Sequence, residues 1–566
     1  MKTKFDMKTK FDMKTKSVIL SVMAWAVSAL MVTAVACTNI IVGKGASADG
    51  SVMVTYSADS YGMYGNIYHH VGGVHAKGEM RKVYDWDTNK FLGEIPQAER
   101  TYTVVGQMNE NQVSIAETTF GGRSELWKTE GLIDYGSLIY IALERATSAR
   151  NAIDIMTSLV AQYGYCSEGE SFSVCDKEEA WILEMIGKGK GEKGAVWVAV
   201  RIPDDCVSAH ANQSRITRLS QYGKSQLLCS RDVITFARQK GYFAGKDSEF
   251  SFRDAYAPSD FGAVRFCETR VWSIFNHFCP GMDQYVEYAK GNDLKGEMPL
   301  YMKPGKKVKL SDVMNAMRDH YENTPFDIQN EVGAGAYNMP YRPTPLEWES
   351  EGKKYFNERP VSTQQTAFCF VGQMRSQYPD PVGGIAWVTN DDPNMAPFVP
   401  LNCCITEMPK CFRRIEGEQD DVHFSWESAF WVQNAVSNMV YPYYEKMFPD
   451  LLGQRQEMEK DVDDMRLEEY PLQLLKEQGR EAMVKYMNEA SLIRSNMMLA
   501  RWQHLFEYLM VKHLDMATKK VEADDPLLNR FKKTEHGIAA PPLRPGYSEA
   551  FRKQMIKETG DKYLMK

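Results

Sequence analysis

The spacing of hydrophobic positions changes several times along the chain. Behind a lysine-bearing start, in which MKTKFD occurs twice and MKTK a third time, residues 17–35 form an almost unbroken apolar run. Ile40-Ile41-Val42 then predicts a short buried strand, residues 46–50 a turn, and the alternation Val52, Val54, Tyr56 a second strand, together a hairpin. Val113 and Ile115 alternate as in a strand. Leu138, Ile141, Ala142 and then Ile153, Met156, Val160 fall at helical spacing and predict one or two core-facing helices. Residues 180–186 and Val196, Val198, Val200 flank a glycine-rich turn as a further hairpin, and 366–371 and 384–388 have strand composition. From about Tyr443 the chain becomes charged, and Met498, Trp502, Leu505 and Leu509 mark a helical region, followed from about Glu522 by an irregular tail with a short helix near Phe551.

The first apolar run changes meaning at its end. Ala34-Val35-Ala36 supplies small residues, and the lysines before the run form a positive flank, so residues 1–36 read as a signal peptide cut after Ala36. Met1, Met7 and Met13 are alternative starts. An uncleaved anchor is the competing reading, because the run approaches the ~20 residues that span a bilayer. A lipoprotein lipidated on Cys37 is another, although Ala34 stands where such signals usually carry Leu. The remainder divides into residues 37–440, a catalytic domain, and 441–566, the helical region and tail.

Composition fits an exported enzyme with a large core: 566 residues, 44% hydrophobic and 25% charged. A formal charge of -7 without a basic block gives no footing for nucleic acid or an acidic membrane surface. Setting Cys37 aside, ten of the 11 cysteines remain, either as disulfides, with Cys166 and Cys175 close enough in sequence to bridge, or as buried thiols. Cys403, Cys404 and Cys411 lack the paired spacing of a structural zinc site.

A cut after Ala36 places a thiol and an α-amine on one residue. The amine, with an ordinary pKa of ~7.7–8.0, can accept the thiol's proton, so Cys37 can be nucleophile and base together. Asp59, just past the second strand, is placed to return beside Cys37. Asn109, in a turn, is a candidate oxyanion donor, a role worth about 2.7–4 kcal/mol where it has been measured. Asn212 is a candidate second donor or substrate anchor. No GxxxxGK[ST] or GxGxxG opens onto a helix, which excludes a phosphate loop. His423, Trp426 and Trp431 receive no role.

The series Cys-Thr-Asn-Ile-Ile-Val-Gly-Lys-Gly-Ala-Ser-Ala-Asp-Gly-Ser from Cys37, Met108-Asn109-Glu110, Glu117 to Gly122, Ala142 to Ala146, Gly169-Glu170-Ser171-Phe172 and His210-Ala211-Asn212-Gln213 resembles the dipeptidase-A-type cysteine peptidases. These are N-terminal nucleophile hydrolases related to penicillin V acylases and bile-salt hydrolases. The resemblance runs from Cys37 to about Thr406. It implies an α+β fold, a four-layer αββα sandwich with an added C-terminal helical region, and cleavage of dipeptides with neither metal nor organic cofactor. Residue by residue, Cys37 resembles the nucleophile, Asp59 the acid that orients its amine, Asn109 an oxyanion donor, Asn212 a second polar contact, and Arg270 the late arginine of the acylase relatives. Asp59, Glu117 and Glu170 are candidates for the substrate ammonium. One departure stands out: the arginine that often shortly precedes the aspartate is absent from residues 54–58. The implied partners are small peptides, with neither nucleic acid nor stable membrane insertion after processing, and a homo-oligomer is left open. The expected location is periplasmic or extracellular. An N-acyl amide hydrolase and a non-catalytic lipoprotein remain as alternatives.

Overall fold

The computed structural model describes residues 36–127, 130–342, 346–522 and 530–565; the expected signal segment lies outside them up to residue 35. The strands that frame the site are β1 (Ala36–Val42), β2 (Val52–Asp59), β3 (Ser114–Gly121), β4 (Gly169–Cys175), β5 (Ala180–Gly187), β6 (Ala195–Ile202), β7 (Val207–His210), β8 (Thr366–Met374), β9 (Ile385–Asn390) and β10 (Val399–Asn402). The helices packed on them are α1 (Tyr135–Leu143), α2 (Ala149–Tyr163), α3 (Thr269–Phe278), α4 (Leu310–Ala316), α5 (Ala429–Val440), α6 (Tyr444–Met458) and α7 (Arg480–Lys512).

Two large sheets result. The first has seven strands, in the order 301–302, β7, β1, β2, β8, β9, β10. The second has eight, in the order 227–229, β6, β5, β4, β3, 108–109, 104–105, 69–70. Neighbouring strands in both run antiparallel. The chain is therefore of the α+β class, and the hairpin expected from Ile40 to Tyr56 is β1–β2.

The sequence of β1 is almost continuously buried, as a strand covered on both faces requires. Ile40 and Val42 join a cluster with Trp272 and Phe275 of α3 and Val313 and Met314 of α4. On the opposite face the Asn39 amide is hydrogen-bonded to Ser173 Oγ of β4 at 3.2 Å. His210 of β7 ties the same sheets, its two ring nitrogens 2.8 Å from Thr118 Oγ1 and 2.7 Å from Ser173 Oγ. The second sheet buries Phe172, Val174, Trp181 and Leu183 against Leu138 and Ile141 of α1 and Ile153 and Met156 of α2. Gly43 ends β1 where a Cβ would lie 2.4 Å from the Asp204 carbonyl oxygen, so only glycine lets the chain turn this close to the approach to β7.

The expected C-terminal helices are present, and α7 is the longest. Val432, Val436, Trp502 and Leu505 pack with Met395, and Trp502 donates to the Met395 carbonyl at 3.2 Å. A helix also covers Glu549–Thr559, near the expected Phe551. All 11 cysteines are free thiols, most of them buried, so the Cys166–Cys175 bridge is corrected to the buried-thiol alternative. Trp502 is fully buried, and Trp502→Ala is expected to cost about 3–5 kcal/mol. A urea titration should show the lowered midpoint, and an unchanged midpoint would contradict this packing.

Candidate functional site

Cys37 is the second residue of β1, paired with Ala58 of β2. Its backbone nitrogen donates to Asn212 Oδ1 at 2.9 Å. Asn212 follows β7 and holds a positive φ of 62°, a conformation that asparagine tolerates better than most side chains. Its amide nitrogen donates to the Thr119 carbonyl at 2.8 Å, so this one side chain links the start of β1 to the end of β3.

Arg270, on α3 just beyond a π-helical turn (Ala263–Glu268), fixes Cys37 and Asn212 together. Such turns often mark functional positions. Nη1 donates to the Cys37 carbonyl (2.7 Å) and Thr38 Oγ1 (2.8 Å), Nη2 to the Ala211 carbonyl (3.1 Å) and Asn212 Oδ1 (2.9 Å), and Nε to the Phe266 carbonyl (2.7 Å). A guanidinium has five N–H donors, and all are used. Burial and the nearby Arg359 charge lower its pKa to about 10, which leaves it charged at neutral pH.

Two further buried carboxylates hold these elements. Glu184 accepts from Ser214 Oγ (2.5 Å) and from the Arg215 nitrogen (2.6 Å), pinning the loop that carries Asn212, and burial lifts its pKa to about 7. Glu268 pairs with Arg215 at 2.9 Å, joining that loop to the helix of Arg270.

Around the sulfur the environment is acidic. Cys37 Sγ lies 3.5 Å from Glu117 Oε1, and Tyr56 OH donates to the same oxygen at 2.5 Å. Burial pushes the thiol well above its ordinary pKa, and the charges of Glu117 and Asp59 raise it further. Glu170, which accepts from Thr119 Oγ1 at 2.9 Å, is raised well above the usual carboxylate range by burial and by Glu117. The Oε2 atoms of both Glu117 and Glu170 are buried without a hydrogen-bond donor among the described residues.

Asp59 stands opposite Ala36 in the β1–β2 register. Its carboxylate accepts from Arg359 Nη2 (2.6 Å), Thr366 Oγ1 (2.7 Å) and Ser57 Oγ (3.2 Å), while the Cys37 nitrogen goes to Asn212. Residues 54–58 lack an arginine, and the one that pairs with Asp59 comes from 300 positions later. No local motif announces it; the one signal was that absence.

The structure thus gathers Cys37, Asp59, Asn212, Arg270, Glu117 and Glu170 about one point and adds Tyr56 and Arg359. Asn109 is used elsewhere. Its amide donates to the Leu143 (2.7 Å) and Ala146 (2.8 Å) carbonyls, and its oxygen accepts from the Asn111 and Val113 nitrogens, both at 3.0 Å. Both amide hydrogens are taken, so turn and helix-end chemistry occupies the group expected as an oxyanion donor. Burial drops His210 to about 3, which leaves it a neutral link between the sheets. Among the described residues no group of three or more His, Cys, Asp or Glu is arranged to hold a metal ion.

Replacing Arg270 by Met would strand several buried acceptors, each costing about 1–3 kcal/mol. Arg270→Met is expected to lower both the melting temperature and turnover; unchanged melting and activity would refute the clamp. In chain that retains Ala36, the raised Cys37 thiol should resist alkylation at pH 8 while exposed Cys229 is labelled, and Cys37 labelling should grow only as pH rises well beyond the ordinary thiol range. Peptide mass spectrometry reads both sites, and equal labelling at pH 8 would contradict this environment.

Comparison with known proteins identifies the family of the chain. The model of peptidase family C69 matches residues 36–457. A protein named probable dipeptidase from Salmonella dublin is 27% identical over 400 residues, covering 67% of this chain and 83% of that protein. One of the same name from Latilactobacillus sakei is 23% identical over 427 residues, covering 72% and 82%. Dipeptidase A from Lactobacillus helveticus is 24% identical over 432 residues, covering 71% and 81%. The family match begins one residue before Cys37 and spans both large sheets, and the chain is a member of peptidase family C69.

Proposed function

We propose that this peptidase is an exported dipeptidase whose nucleophile is Cys37, freed as the mature N-terminus by cleavage after Ala36. The observation that carries the reading is the pair of buried carboxylates at the sulfur. Glu117 Oε1 lies 3.5 Å from Sγ, and Glu117 Oε2 and Glu170 Oε2 have no donor but the proton the two acids share, which burial and Glu117 keep on Glu170. In a dipeptide the ammonium is one carbon from the scissile carbonyl, so a carbonyl presented to Sγ brings its ammonium to these oxygens. An N-acylated substrate would bring an apolar chain to the same acidic place. Names of relatives that include dipeptidase, among them dipeptidase A of Lactobacillus helveticus, agree with this choice.

Cleavage changes the chemistry of Cys37. While its nitrogen is an amide it cannot act as a base, and the buried thiol stays protonated beside two carboxylates. A free α-amine places an acceptor on the same residue, held by Asn212 Oδ1 and by the Arg270 clamp. The amine takes the thiol proton as Sγ bonds to the carbonyl carbon. It gives that proton to the leaving amine as the peptide bond breaks, which forms a thioester. Water then loses a proton to the amine, attacks the thioester carbon, and releases the acid as Sγ is restored. The same reading assigns the two adjoining sheets, with α1 and α2 on one and α3 and α4 on the other, to the αββα sandwich of N-terminal nucleophile hydrolases. It also places the mature enzyme in the periplasm or outside the cell.

Cys37→Ala should keep the fold and abolish turnover, and full activity in that variant would sink the proposal. Glu117→Gln removes one charge-assisted contact, worth about 1.5–3 kcal/mol. It should raise KM for alanyl-alanine by roughly 10- to 100-fold with a smaller effect on kcat. Cleavage of N-acyl amino acids in preference to dipeptides by the wild-type protein would favour the acylase reading instead.

A further inference from the structure

Arg359 contrasts with Arg270. It is 2% exposed, yet its donors are not all used: Nη1 donates to the Pro360 carbonyl (3.3 Å), Nη2 to Asp59 (2.6 Å) and the Ala36 carbonyl (3.3 Å), and the buried Nε has no partner. One of those partners is the carbonyl of the bond that processing breaks. Loss of residues up to Ala36 therefore removes an acceptor from Nη2 beside an Nε that already lacks one. The guanidinium cannot shed its charge, so the position vacated by Ala36 favours an anion.

Its place relative to the reaction is set by covalent geometry. The Ala36 carbonyl is bonded to the Cys37 nitrogen, so Arg359 flanks the α-amine rather than the sulfur. The α-amine must hand its proton to the leaving amine, and in a dipeptide the leaving amine is one carbon from the free carboxylate. The Arg359 and Arg270 guanidiniums together outnumber the Asp59 carboxylate on this side. Glu117 and Glu170 lie on the other, at Sγ.

We infer that Arg359 binds the C-terminal carboxylate of the dipeptide, in the place that the Ala36 carbonyl holds before processing. This rests on the dipeptidase reading and deepens it: with carboxylates at the acyl end and a guanidinium at the leaving end, the site measures a substrate one peptide bond long. The same residue thus serves twice, anchoring the uncut segment and then reading the substrate's end.

The test uses processed wild-type protein with alanyl-alanine and with alanyl-alaninamide, which differ only in the terminal charge. The free acid should be preferred in kcat/KM by about 10- to 100-fold, mostly through KM, the range one charge-assisted hydrogen bond supplies. Arg359→Gln should erase this preference, lowering kcat/KM for the acid about 10- to 100-fold further than for the amide, whatever both substrates lose through Asp59. Equal kcat/KM for acid and amide in the wild type would overturn the inference without needing the variant. So would a variant that loses both substrates in equal proportion, since that is the mark of a purely structural partner of Asp59. Cleavage of neither compound, with N-acyl amino acids cleaved instead, would overturn the dipeptidase reading and this inference with it.

Discussion

A charged guanidinium sealed in the interior has to find an acceptor for every N–H, and Arg270 meets that demand almost entirely from the residues around Cys37. Its partners are the Cys37 and Ala211 carbonyls, Thr38 Oγ1, Asn212 Oδ1 and a carbonyl of the π-helical turn before its helix. Because leaving any of these acceptors bare is costly, the start of β1, the loop after β7 and helix α3 are locked in one arrangement. The rest of the site follows. Asn212 is held where its oxygen meets the Cys37 nitrogen, and Glu184 and the Arg215–Glu268 pair secure the loop and helix from behind.

The charges nearby are sorted. Carboxyl groups lie at the sulfur, Glu117 and Glu170, and guanidiniums at the nitrogen, Arg270 and Arg359 around Asp59. Burial and the charges of Glu117 and Asp59 raise the thiol well above its ordinary range in the chain that retains Ala36. Under the proposed processing, the reactive atoms are fixed before the α-amine is freed, and a single cut completes the site.

Much of this was legible in the sequence, for reasons that can be named. The β1–β2 hairpin and α1 and α2 carry clear periodicity, Cys37 and Asn212 sit in short motifs of a resembled family, and Asp59 and Arg270 were assigned through that resemblance. Arg359 was not legible, because an ion pair across 300 residues leaves no local pattern. Asn109 was visible and read for another partner: an amide in a turn serves an oxyanion or nearby carbonyls equally well by composition, and here the end of α1 and the loop after it claim it. The cysteines were undecided for a similar reason, since spacing says nothing of whether two thiols face each other. Tyr56 was assigned to a strand on pattern alone, while its hydroxyl reaches Glu117 across the site.

The central claim is that Cys37 becomes a free N-terminus, and N-terminal peptide mass analysis of the protein recovered from its native export route tests it most directly. The account predicts a peptide beginning at Cys37 with an unmodified thiol and amine. A peptide that still carries Ala36, or a Cys37 bearing lipid, would contradict it.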